Sequence, residues 1–140
     1  MSIMDSNKTP KSPSSDIAYD SIRLEVLRNA LEGIGDGMAL TVMTASRSSI
    51  VRNNLDFSTG VLSAKGELVG QGLCLPIHIG GMMPALESCL KHYNGEVKPG
   101  DVLISNDPYE GGSHLPDIFL YKPMYMDGRL LGYACAMSHH

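Results

Sequence analysis

Near the end of this 140-residue chain, His114, Asp117 and His139 combine the side-chain types best suited to holding a metal ion. Imidazole and carboxylate are the usual ligands of zinc, manganese and iron, and three of them leave coordination positions open for water and substrate. A site closed by four cysteines would be structural, but Cys74, Cys89 and Cys135 form no CxxC pair. Gly111-Gly112, just before His114, lets the loop bend tightly beside an ion. The register also allows the three to converge. Strands Asp117 to Tyr125 and Arg129 to Met137 are joined at Asp127-Gly128. A three-residue turn with Gly128 in a left-handed bulge position pairs Tyr125 with Arg129. Leu115 then lies opposite His139, with Asp117 its diagonal neighbour on the same face. A two-residue turn would put Asp117 and His139 on opposite faces. Ordinary hydrogen-bonded histidines are the plain alternative. The convergence of two imidazoles, a carboxylate and a double-glycine loop favours the metal.

The elements that must position these residues read as an α+β domain: a long N-terminal helix, β-hairpins forming a mostly antiparallel sheet, and a short second helix. Ser15 or Asp16 can cap the first helix, whose apolar positions Leu24, Leu27, Leu31, Ile34, Met38, Val42 and Ala45 recur at steps of three and four. Gly33, Gly35 and Gly37 interrupt it at about 1 kcal/mol each relative to alanine. No strand precedes them and no Gly-Lys-Ser/Thr follows, so close packing against a neighbour is favoured over a phosphate loop. Leu55, Phe57, Thr59 and Val61 alternate with Asp56, Ser58 and Gly60, and a turn at 64–67 leads into Leu68-Val69. Pro84 is suited to the first turn of a short helix closed by Asn94-Gly95. A strand from Asp101 to Ser105 precedes the polar loop 106–113.

Other candidates are less specific. His78, in a Pro-Ile-His-Ile-Gly loop, suits a residue behind the ligands or one reaching substrate, and a structural hydrogen bond fits it equally. Asp107 could do the same, although Asn106 and Asp107 before Pro108 also shape a turn. His140 could orient His139 or reach the site, and His92, late in a helix, reads as a surface residue.

Composition narrows the class. With 43% hydrophobic and 19% charged residues the chain is globular. A net charge of -4 without a Lys/Arg cluster argues against nucleic acid. No apolar run approaches the ~20 residues that span a bilayer. Residues 1–16 are polar, Ser/Pro-rich and lack a signal-peptide core, so they read as a disordered leader to a domain over 17–140. Three unpaired cysteines favour reduced thiols and a cytoplasmic location. A chain stopping at His139-His140 directly after an apolar strand is expected to be the front part of a longer protein.

The string from Gly100 to Asp117, GDVLISNDPYEGGSHLPD, resembles the signature of the hydantoinase B/oxoprolinase family. Leu24 to Asn29, Asn54 to Ser58, Pro76 to Gly80 and His139-His140 extend the likeness over 20–140, although the glycines at 33–37 are unusual for the family's first helix. The resemblance implies a B subunit that holds a divalent metal, zinc, manganese or iron, beside a substrate activated by an A subunit of the hydantoinase A type, which binds ATP and Mg. Its ligands carry over to His114, Asp117 and His139, and also to Asp56. Alternation turns Asp56 away from Leu55 and Phe57. The implied reaction is ATP-dependent hydrolysis of a cyclic amide of the hydantoin or 5-oxoproline type. Amides are poor electrophiles: phosphorylation activates the carbonyl, and a metal lowers the pKa of the attacking water. The alternatives are a subunit of a ketone carboxylase of the acetone or acetophenone type, and a non-catalytic scaffold that binds its partner.

Overall fold

The structure is a computed structural model that describes residues 20–73 and 75–140. The expected leader, the caps at Ser15 and Asp16, and Cys74 lie outside the described residues. Helix α1 spans Ser21–Ala45, and its cap is Asp20, whose carboxylate accepts the Ile22 N–H at 3.1 Å. A short helix α2, Ser49–Asn54, ends on Leu55 in the left-handed conformation, φ 56°, and delivers the chain into strand β1, Phe57–Ser63. Strand β2 is Leu68–Gln71, helix α3 is Pro76–His92 and strand β3 is Leu103–Ser105. A 3-10 turn at Pro108–Glu110 precedes β4, Asp117–Met126, and β5, Arg129–His139.

The strands form one antiparallel sheet in the order β2-β1-β5-β4-β3. Strand β5, last in sequence, therefore lies in the middle. Helix α3 packs on one face, where Met82, Ala85 and Leu86 meet Leu62, Phe119, Tyr121, Tyr133, Cys135 and Met137. The Tyr121 hydroxyl donates to the Met82 carbonyl at 2.8 Å. Helix α1 covers the opposite face at the β1–β2 end, where Ala39, Val51 and Phe57 form a second small core. Strand β1 is thus covered on both sides, which is why its residues 57–62 are all buried although their sequence alternates.

Close packing accounts for the middle glycine of α1. Gly35 lies against the backbone of Gly72, and a Cβ on either would fall on the other's main chain. Thr59 Oγ1 donates to the Gly35 carbonyl at 2.9 Å. Gly33 and Gly37 face open space.

Four expectations are corrected. Helix α3 begins at Pro76, not Pro84. Pro76 takes the first-turn position, and Pro84 sits inside the helix, where it forgoes one backbone bond. Gly81 lies inside the helix, where the Phe119 ring occupies the place of a side chain. His78 is consequently in the first turn of α3 rather than in a loop.

The β4–β5 turn has two residues, not three. Asp127 and Gly128 both have positive φ, 51° and 76°, and Met126 pairs with Arg129. That turn alone would leave Asp117 and His139 on opposite faces. A bulge restores them: Tyr125 pairs with Leu130 and Met124 with Gly132, so Leu131 is extra and the register shifts by one. Asp117 therefore lies directly opposite His139, not diagonal to it, and Leu115 is not its partner.

Candidate metal centre

Three strands build the floor of the site. The β1–β5 ladder runs to Phe57↔Ser138, and the His139 N–H donates to the Asp56 carbonyl at 3.2 Å. With Asp117 paired to His139 on the other side, Asp56, His139 and Asp117 form one row across the sheet. This row continues the face on which α3 packs, and His78, in the first turn of α3, reaches it. Its Nε2 lies 3.5 Å from Asp56 Oδ1 and 3.9 Å from Asp117 Oδ2.

The loop before β4 supplies His114. Gly111, φ 93°, crosses α3 so closely that a Cβ would lie 2.5 Å from the Pro84 carbonyl carbon. Asn106 Nδ2 donates to the Leu115 carbonyl at 2.9 Å, tying the two ends of the loop together. The Asp117 N–H donates to the His114 carbonyl at 3.0 Å, and this turn sets His114 Nδ1 at 3.3 Å from Asp117 Oδ2. The His114 and His139 rings are 5.4 Å apart, centroid to centroid. One ligand atom from each of His114, Asp117 and His139 lies within 4.8 Å of the others, a group that could hold a metal ion.

The electrostatics fit a cation. Asp117 is fully buried. Its Oδ2 accepts from the Ser113 hydroxyl and is approached by both His114 and His78. Asp117 Oδ1 and His139 Nδ1 are the two buried side-chain polar atoms without a hydrogen-bond partner among the described residues. An orphaned buried acceptor costs about 1–3 kcal/mol, more if charged, and a bound cation removes that penalty. His114 is half exposed, so the site is open to water on that side. Burial pushes the His78 imidazole below its ordinary pKa, outweighing the opposite pull of Asp117 and Asp56.

The expected residues divide into two sets. His114, Asp117 and His139 come together, with Asp56 and His78 beside them. Asp107 is engaged elsewhere: its side chain accepts the Tyr109 N–H at 2.8 Å and lines a cleft with Ser88, Lys91, His92 and Glu110 between α3 and β3. His140 is exposed and uses its backbone N–H to bond the Pro116 carbonyl at 3.0 Å. Two participants escaped the sequence reading, Ser58 and Ser113. Ser113 adjoins His114. Ser58 follows Asp56 at strand spacing on the polar side of the alternation, and that was the available signal.

Comparison with known proteins agrees with this architecture. Residues 20–140 match the hydantoinase B/oxoprolinase family, and the chain belongs to it. Over 120 residues it is 36% identical to caprolactamase subunit beta of Pseudomonas jessenii, covering 86% of this chain and 21% of that one. It is 35% identical over 121 residues to 5-oxoprolinase 1 of Arabidopsis thaliana, covering 86% of this chain and 10% of the relative. The crystal structure of ATP-dependent caprolactamase from Pseudomonas jessenii superimposes with a TM-score of 0.78 over 86% of this chain and 21% of that one. A nucleotide-free structure of acetone carboxylase shares the fold, with a TM-score of 0.79 over 87% of this chain and 16% of that one, at 22% identity. The chain thus spans a tenth to about a fifth of the length of these curated relatives. Among the described residues no helix is long and apolar enough to cross a membrane.

Proposed function

We propose that this chain supplies the divalent-metal part of the active site of an ATP-dependent enzyme that opens a cyclic amide. One observation carries the metal: among the described residues the buried Asp117 carboxylate keeps Oδ1 without a hydrogen-bond partner, beside the equally unpartnered Nδ1 of His139. His114, Asp117 and His139 would hold the ion, with Asp56 a further ligand from the neighbouring strand. When bound, a divalent ion such as zinc, manganese or iron supplies Lewis acidity for water and carbonyl chemistry. Within the chain, Ser113 holds one Asp117 oxygen, the row of three strands fixes the ligand spacing, and the exposed side of His114 admits substrate and water. ATP, with Mg, belongs to a partner subunit of the hydantoinase A type, whose phosphoryl transfer makes the amide carbonyl a usable electrophile.

Amide opening is favoured over ketone carboxylation because relatives at 35–36% identity are named 5-oxoprolinase and caprolactamase. Acetone carboxylase, at 22% identity, speaks for the fold alone.

The test measures phosphate release and ring opening with 5-oxoproline, a hydantoin and caprolactam, with acetophenone and bicarbonate as the carboxylation control. It is run on this chain, on the longer B-type polypeptide, and on that polypeptide with its A-type partner and ATP. Ring opening is expected only in the last case. Ring opening by the B-type polypeptide without ATP or partner would overturn the mechanism, and carboxylation without ring opening would replace the reaction. A chain that takes up no zinc, manganese or iron by elemental analysis would support a scaffold instead.

A further inference from the structure

Ser58, fully buried on β1, touches two groups at once. Its oxygen accepts the Leu75 N–H at 2.9 Å, which fastens the start of α3 to the sheet. The same oxygen lies 2.8 Å from His78 Nδ1. The other ring nitrogen, Nε2, faces Asp56 Oδ1 at 3.5 Å and Asp117 Oδ2 at 3.9 Å. Carboxylates offer only lone pairs, so a lone pair on Nε2 is repelled there and an N–H is attracted. A neutral imidazole with its proton on Nε2 needs a donor at Nδ1. A serine hydroxyl that accepts an amide proton still has its own proton to give.

We infer that Ser58 is a positioning residue: by donating to His78 Nδ1 it fixes the Nε2–H tautomer, so that His78 presents a donor to Asp56 and Asp117 rather than a metal-binding lone pair. The Oδ2 side of Asp117 is then held by the Ser113 hydroxyl and faced by the His78 N–H, and Oδ1 remains for a cation. This consequence rests on the metal reading above, whereas the tautomer belongs to the chain without metal. Serine, histidine and aspartate in a row could also be read as a nucleophilic triad. Ser58 is excluded from that role because its hydroxyl has no exposure through which a substrate could reach it.

The experiment is a long-range proton–nitrogen correlation spectrum of the metal-free, nitrogen-labelled chain near neutral pH, followed by zinc titration. His78 is expected to show a protonated Nε2 and a bare Nδ1. Ser58→Ala should give a tautomer mixture and weaken zinc binding by ~10–100-fold, the usual loss for a residue behind the ligands. Ser58→Thr, which keeps the hydroxyl, should restore both. A protonated Nδ1 or a doubly protonated ring in the wild-type chain would overturn the inference, and the wild-type spectrum decides this even if Ser58→Ala fails to fold. An unchanged tautomer, or unchanged zinc affinity, in a folded Ser58→Ala chain would overturn it too. Absence of zinc binding by the wild-type chain would instead remove the metal reading and leave the tautomer result standing.

Discussion

Asp117 is the residue on which the proposed centre turns, because among the described residues it is the one carboxylate that is both fully buried and incompletely paired. Asp117→Asn keeps the shape and removes the charge. Wild-type chain in zinc at a hundred times its dissociation constant should gain about 2.7 kcal/mol of unfolding free energy. The asparagine variant should gain almost none, as read by denaturant midpoints with and without the ion. Equal gains in both would remove Asp117 from the ligand set. Asp56→Asn should have a smaller effect, a loss of ~10–100-fold in affinity, and unchanged affinity would mark Asp56 as structural. Tyr121→Phe is the control. It deletes a buried hydrogen bond to Met82 and should cost about 0.5–1.5 kcal/mol while leaving zinc affinity alone. His114, Asp117 and His139, which the fold brings together, stood out in the sequence because their types are chemically specific. His78 was only half legible: its type suggested the site, but its place at a helix start depends on Phe119 packing on Gly81, a contact between distant segments.

At the level of elements, the glycines of α1 behave differently according to what they touch. Gly33→Ala and Gly37→Ala fill open space in a helix and should each raise stability by about 0.5–1 kcal/mol. Gly35→Ala must push α1 away from Gly72 and should cost about 1–3 kcal/mol. Thermal unfolding of the three variants checks this, and similar shifts for all three would mean that the close crossing of α1 and β2 does not exist in solution. The strands and the long helix were readable from periodicity, since alternation and three-to-four spacing are local. The bulge at Leu131 was not. Asp127-Gly128 encodes a two-residue turn, yet the register at the far end of the hairpin is set by what β5 packs against. The expected outcome, Asp117 and His139 on one face, was therefore reached through a different turn. Helix α2 was missed for a related reason, since six residues carry too little periodic signal to declare themselves.

For the whole molecule, the position of β5 has a consequence for how the protein is made. The central strand is synthesised after the other four strands of its sheet: Phe57 pairs with Ser138, and Asp117 with His139. Until it emerges, β1–β2 and β3–β4 are two separate hairpins, each with an edge waiting for a partner. Residues 1–128 alone should therefore aggregate rather than fold, which size-exclusion chromatography would show, because β1 and β4 both expose unpaired backbone. Once residues 129–139 are present, insertion of β5 closes long loops and should be the slow step in forming this sheet. Asp56 and Asp117 wait on opposite hairpins for His139 to arrive between them, so an ion can be captured only after that insertion. Zinc should consequently slow unfolding while leaving the refolding rate nearly unchanged. The metal centre would then act as a latch on this sheet, set once its strands are in place and with no part in guiding them.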